Sequence, residues 1–186
     1  IQKYDYVNSS EENRSPGVLF VHSRLSIIDL ESRADQPFTV GPCTIIFNGE
    51  IYNYLELRTE LERLGAKFVT ESDTEVLLNA YLEWGMDCAK RFEGMWSFAI
   101  WDSRDCSLFL SRDRFAEKPL YYYKNNDGFY FASEVKALKS LSGKNFEINN
   151  DQVLRYLTLG YKSLYKKPQT FFEGVSEVPY ASNMII

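Results

Sequence analysis

The 186 residues carry 21 Lys and Arg against 26 Asp and Glu, a net charge of −5, with 45% hydrophobic and 25% charged residues, the composition of one ordinary globular domain with a sizeable core. The acidic balance, with no Lys/Arg run longer than Lys166-Lys167, leaves no electrostatic footprint for nucleic acid or an anionic membrane surface. No window approaches the ~18 consecutive apolar residues of a membrane span, and the opening IQKYDYVNSSEENRSP lacks a signal-peptide apolar core, so a cytoplasmic chain is expected.

From Val18 to Phe47, VLFVHSRLSIID and CTIIFN read as two strands around the turn-rich connection ESRADQPFTVGP. Asn48-Gly49 follows, and Asn-Gly between patterned runs is the strongest short hairpin signal, because both residues tolerate positive φ. A helix comes next: Tyr54, Leu57, Leu61 and Leu64 recur at helical spacing, Asn53 is an N-cap candidate with Glu56 three residues on, and Gly65 is placed to end it. The grammar repeats with a capping-box pattern at Ser72 and Glu75 and an apolar stripe of Val76, Leu77, Ala80, Tyr81 and Trp84 ending at Gly85, so two adjacent helices form one layer.

A short helix around Cys88 to Phe92 leads into SFAIWDS, SLFLSRDR, LYYYK and FYFAS, four strands joined by DSRDC and NNDG and expected as consecutive antiparallel hairpins. Ser133 and Asn150 look like caps of the helices EVKALKSL and DQVLRYLTL, which Gly143 and Gly160 follow. The tail from Lys167 reads as a last strand or the start of a linker. Runs of strands and runs of helices favour an α+β fold of antiparallel sheets covered by helices.

Cys43, Cys88 and Cys106 are odd in number and lack CxxC spacing, so reduced thiols are expected, with neither a disulfide framework nor a zinc knuckle. His22 is the single histidine. GxSxG, GxxxxGK[ST], HExxH and EF-hand patterns are absent. What remains is Arg24, the trio Asn48-Gly49-Glu50, and Asp73.

Taken singly, each has a bland reading: a surface or edge-strand charge for Arg24, a turn for Asn48-Gly49, a macrodipole partner for Asp73, a half-buried strand residue for His22. Together they have a shared logic. A site for a free amino acid needs a cation for the α-carboxylate, which Arg24 supplies, and a carboxylate for the α-ammonium, which Asp73 or Glu50 supplies. Hydrolysis of a side-chain amide needs two donors for the tetrahedral oxyanion, and an Asn amide beside a Gly N–H is such a pair. A nucleophile is missing from the set.

The blocks VHSRLSIIDL, FNGEIYNYLELR, ESDTEVLLNAY, EGMWSFAIWD, SRDRFAEKPLYYY and FASEVKAL, in that order, resemble the glutamine-hydrolysing domain of the class II amidotransferases, and among them the asparagine synthetase family. The resemblance implies an N-terminal-nucleophile hydrolase sandwich, two antiparallel sheets between helical layers. It implies that Arg24 with Leu25, Ser26, Ile27 and Ile28 holds the carboxylate side of glutamine, that Asp73 and Glu50 hold the amino end, and that Asn48 and Gly49 form an oxyanion hole. SRDRF at Ser111 to Phe115 and SEVKAL are implied to be framework. Expected partners are glutamine, a synthetase domain of the same protein and, as a homodimer, a second copy. No cofactor is expected in this domain, while ATP and Mg belong to the synthetase domain.

Members of that family begin with a cysteine whose thiolate attacks the amide and whose α-amine takes the proton, whereas this chain begins with Ile1. The expectation is therefore one amidotransferase domain over 1–186 that lacks its first strand and nucleophile, is inactive by itself, and is separated from an ATP-dependent synthetase domain. Cys43, Cys88 and Cys106 are internal and carry no α-amine to replace it. Ser23 and Ala116 depart from the family pattern without an evident consequence. Two alternatives stand beside this reading: an amidotransferase acting on another acceptor, such as a surface-polysaccharide sugar or a lactam-forming substrate, and a non-catalytic glutamine-binding module.

Overall fold

A computed structural model describes residues 17–25, 27–161, 164 and 168–186. Five antiparallel strands form the larger sheet in the order β1 (Phe38–Val40), β2 (Cys43–Ile51), β3 (Gly94–Asp102), β4 (Ser107–Arg112) and β8 (Ser182–Ile185). The smaller sheet has β6 (Phe129–Ala132), β5 (Tyr121–Lys124) and β7 (Ser176–Glu177), also antiparallel. Helices α1 (Tyr54–Arg63), α2 (Asp73–Trp84), α3 (Val135–Ser142) and α4 (Asn150–Leu159) complete the fold.

The layers follow from which side chains alternate onto which face. Cys43, Ile45, Phe47 and Ile51 of β2, with Trp96, Phe98 and Ile100 of β3, pack against Leu57 and Leu61 of α1 and the Val76 to Tyr81 stripe of α2. The opposite file, Ile46, Ala99, Trp101, Leu108 and Leu110, meets Tyr122, Phe129 and Phe131 of the smaller sheet. The outer face of that sheet, with Tyr121, Tyr123 and Tyr130, covers Val135 and Leu138 of α3. The result is the expected α+β sandwich of two antiparallel sheets between helical layers.

The central strand β3 is buried almost throughout, because both of its faces are covered. Its two files differ in size. Trp96, Phe98 and Ile100 fill the helix side, where Phe98 meets Phe109 edge-on at 5.6 Å between ring centroids and Tyr81 stacks on Phe109 at 5.4 Å. Ser97 and Ala99, the small residues between Met95 and Trp101 in the other file, leave room between the sheets.

Several local expectations need correction. Asn48-Gly49 is no turn: both residues lie within β2, opposite Ser97 and Trp96, and the ladder runs on to Ile51 opposite Gly94. The turn falls at Tyr52 and Asn53, before α1. VLFVHSRLSIID forms no strand over its described residues; it is held by side chains, as Arg24 gathers the carbonyls of Ile28, Asp29 and Glu31 and Phe20 packs edge-on against Phe131. The connection after it contains β1, paired Phe38 to Ile45. The strands from Ser97 to Ser133 form two hairpins in different sheets, so β4 and β5 are not neighbours.

Caps also shift. Asn53 sits at the N-cap of α1 without capping it; its amide donates to Arg91 C=O and accepts from Glu93 N–H instead. Ser72 does cap α2, accepting from Thr74 N–H, whereas Glu75 turns to the N–H groups of Val69 and Thr70. Glu134 and Asn149, rather than Ser133 and Asn150, occupy the caps of α3 and α4, and Asn149 accepts from Gln152 N–H.

Two glycines permit the close approach of β2 and β3. At Gly49, with φ of 154°, an added Cβ would stand 2.1 Å from Met95 O and 2.8 Å from Trp96 Cα; at Gly94, with φ of 145°, it would stand 2.1 Å from Glu50 O. Backbone atoms cannot yield as a side chain can. Gly94→Ala is therefore expected to cost about 3–5 kcal/mol, combining positive-φ strain with overpacking. Gly65→Ala, at a positive φ but with nothing within 4 Å of its Cβ, is expected to cost about 1–2 kcal/mol, and the two urea midpoints should separate accordingly.

Candidate active site

The small file of β3 opens into a cleft of about 1200 Å³ between the sheets. Arg24, Leu25, Ile27, Ile28, Asn48, Gly49, Glu50 and Asp73 all line it, together with His22 and Gln36. Ser26 lies outside the described residues. The residue types selected from the sequence are thus brought into one place by three elements: the 17–35 segment, β2 and the N-terminus of α2.

On β2, Asn48 and Glu50 share the file of Ile46 that faces the smaller sheet, and neither side chain makes a hydrogen bond among the described residues. Their main chains face β3, as Tyr52 N–H does in reaching Glu93 O at 2.7 Å. The odd-numbered residues therefore turn their backbone groups the other way, by the alternation of an antiparallel ladder. Phe47 N–H bonds Gln36 Oε1, Phe47 C=O accepts from His22 Nε2 at 3.1 Å, and Ile51 N–H bonds Asp73 Oδ2 at 3.1 Å. Gly49 lies between these, and its N–H has no partner among the described residues. An open backbone donor next to a free Asn amide is competent to hold an oxygen that gains negative charge.

Asp73 is the first residue of α2 and is buried. Burial raises its carboxyl above the ordinary value, the negative charge of Glu50 adds to this, and the backbone donors of Ile51 and Thr74 oppose it. Glu50 and Asp73 thus form a carboxylate pair short of positive charge. A cation placed between them would relieve the repulsion.

Arg24 adds positive charge to the cleft wall, with its fork already engaged. Nη1 donates to Glu31 C=O and to Asp35 Oδ1 at 3.2 Å, and Nη2 donates to the carbonyls of Ile28 and Asp29. Asp29, at φ of 51°, accepts from Glu71 N–H at 2.8 Å and fastens the same loop to the approach of α2; that bond holds its carboxyl below the usual range. Arg24 is accordingly no free surface charge. It orders the loop that walls the cleft.

Of the remaining reactive groups, Cys43 and Cys88 lie in the core beneath the helices, whereas Cys106 and His22 line the cleft. Cys43 and Cys88 are fully buried, and burial pushes both thiols up to about 12. Cys106 is exposed in the β3–β4 turn. His22 is half-buried, its charged form disfavoured by burial, and its Nε2 is taken by Phe47 C=O. Among the described residues no group of three or more His, Cys, Asp or Glu is placed to hold a metal ion, and no helix is long and apolar enough to cross a membrane.

Sequence reasoning passed over Gln36. It sits in the polar connection as an ordinary loop residue, yet it is buried, its Oε1 taking Phe47 N–H and its Nε2 donating to Thr74 Oγ1 at 3.3 Å. No spacing or periodicity marks such a bridge.

Residues 8–186 match the family described as glutamine amidotransferase domain. Asparagine synthetase [glutamine-hydrolyzing] 1 of Bacillus subtilis is 43% identical over 169 residues, covering 90% of this chain and 26% of the relative. Asparagine synthetase [glutamine-hydrolyzing] 3 of the same organism is 38% identical over 166 residues, covering 87% and 26%. This chain thus spans about a quarter of the length of these curated relatives. Among solved structures, a glutamine phosphoribosylpyrophosphate amidotransferase from Bacillus subtilis matches with a TM-score of 0.56 at 24% identity, over 68% of this chain and 30% of that one, a likeness of fold. The chain belongs to the glutamine amidotransferase domain family.

Proposed function

We propose that this domain hydrolyses the side-chain amide of glutamine and delivers the ammonia to a further, ATP-dependent domain of a longer protein, where aspartate is amidated to asparagine. The observation that carries the reading is the cleft itself: an open Gly49 N–H and a free Asn48 amide beside a carboxylate pair short of positive charge, with a guanidinium in the same lining. The names of the relatives, glutamine-hydrolysing asparagine synthetases, support the choice of acceptor.

In this reading the nucleophile is the thiolate of an N-terminal cysteine of the longer protein, with its α-amine as proton carrier. Attack on the amide carbon moves the C=O electron pair onto oxygen, and Asn48 Nδ2 and Gly49 N–H donate to that oxyanion. Collapse expels ammonia and leaves a thioester, which water opens to glutamate. Asp73 and Glu50 take the α-ammonium. Arg24 and the Leu25 to Ile28 stretch flank the α-carboxylate, the guanidinium serving partly through the loop it orders.

Two outcomes test these roles in the full-length protein. Asn48→Ala is expected to lower glutamine-dependent kcat roughly 10²–10³-fold, and Arg24→Ala to lower glutamine kcat/KM roughly 10- to 100-fold, each with ammonia-dependent synthesis retained. Equal loss with both nitrogen donors would remove the assignment.

Asp73 adds a pH dependence. A carboxyl raised in the folded state contributes stability that is complete below its unfolded value and is lost as pH climbs through the folded one. Asp73→Asn keeps an acceptor for Ile51 N–H and removes the buried charge. It should melt at a higher temperature than the parent at pH 7, lose that advantage below pH ~4, and bind glutamine more weakly at neutral pH.

A further inference from the structure

Past Ile45, where its pairing with β1 ends, the outer edge of β2 has no strand beside it among the described residues. An uncovered edge offers a row of donors and acceptors that pair readily with whatever extended chain is near. Here side chains occupy the row on both sides of Gly49, two before it and one after. Phe47, two residues before it, is held at both backbone groups, its N–H by Gln36 Oε1 and its C=O by His22 Nε2. Ile51, two residues after it, is held by Asp73.

We infer that His22 and Gln36 are positioning residues for the Gly49 N–H: by occupying both outward groups of Phe47 they fix the strand edge and leave that one donor open and aimed into the cleft. The inference rests on the reading of Gly49 as an oxyanion donor. Its physical basis is that donors assist a reaction when they need no rearrangement at the moment charge develops, and that a displacement of about 1 Å costs ~10²-fold.

The chemistry of each residue fits a bracing role. With Nε2–H donated to a carbonyl, His22 must keep Nδ1 bare, and Nδ1 is buried without a hydrogen-bond partner. Protonating it would place a charge in a covered spot next to Arg24, which burial and the Arg24 charge both disfavour. Toward Phe47 it is thus a fixed donor. Gln36 uses its other end on Thr74 Oγ1, beside Asp73, so a single buried amide sets the strand edge against the helix that carries the ammonium-binding carboxylate.

The test uses the full-length protein and four variants. His22→Phe and Gln36→Leu keep bulk and remove the bonds; His22→Gln returns an N–H donor at similar reach; Gln36→Glu keeps the acceptor for Phe47 N–H. Hydrogen exchange by mass spectrometry on the peptide spanning Phe47 to Ile51 should accelerate in His22→Phe and Gln36→Leu, and stay near the parent in His22→Gln and Gln36→Glu. In the first pair glutamine-dependent kcat should fall at least ~10-fold with glutamine KM within about twofold and ammonia-dependent synthesis retained, and His22→Gln should recover most of the loss. Unchanged exchange in the first pair overturns the bracing, as does a His22→Gln variant as poor as His22→Phe or a parallel fall in ammonia-dependent synthesis. A parent that shows no glutamine hydrolysis while its variants exchange faster removes the proposed reaction and leaves the bracing intact.

Discussion

The nine-residue ladder between β2 and β3 is the constraint on which the rest of the structure depends. It sets the register Cys43 to Asp102 through Ile51 to Gly94, and with it which file of side chains faces the helices and which faces the cleft. Because Gly49 and Gly94 lack a Cβ, the two backbones approach at the cleft end more closely than any other residue pair would allow. The core under α1 and α2 and the open N–H of Gly49 are thus two outcomes of one pairing. A slip of the register would lose both.

Charge is distributed across the cleft by a different principle. Asp73 is kept buried next to Glu50 with too little positive charge for the pair, a local expense that a folded domain retains where a ligand will offset it. The positive charge of Arg24 is largely engaged by the oxygens of its own loop. The unmatched charge of the cleft is therefore that of its carboxylates. An α-ammonium group fits them by charge alone.

What was legible in the sequence was what depends on near neighbours. The Ser72 cap, the αL glycine Gly143 after α3, and the turns between β3 and β4 and between β5 and β6 follow from a few adjacent residues and occur as expected. Asn48-Gly49 misled because its local signal is that of a hairpin, while its conformation is decided by a ladder to residues about fifty positions away. VLFVHSRLSIID has the β-branched content of a strand, but Arg24 within it recruits carbonyls of its own loop, and side-chain bonds replace a ladder. The charged residues that line the cleft, Arg24, Glu50 and Asp73, were visible in the sequence. The bracing by Gln36 and His22 was not, since a long-range bond from a side chain to a backbone leaves no periodicity behind.

The unequal files of β3 have one more consequence, for the kinds of length change the chain tolerates. Since successive side chains of a strand point to opposite faces, deleting Met95 while Gly94 keeps its place opposite Ile51 would move Phe98 and Ile100 toward the second sheet and Ser97 and Ala99 toward the helices. The core would be left hollow and the space between the sheets would be filled, in a single step. Deleting one residue in the exposed turn from Ser103 to Cys106 alters neither file. Insertions and deletions are thus sorted by position along this hairpin into those that exchange inside for outside and those that only shorten a loop.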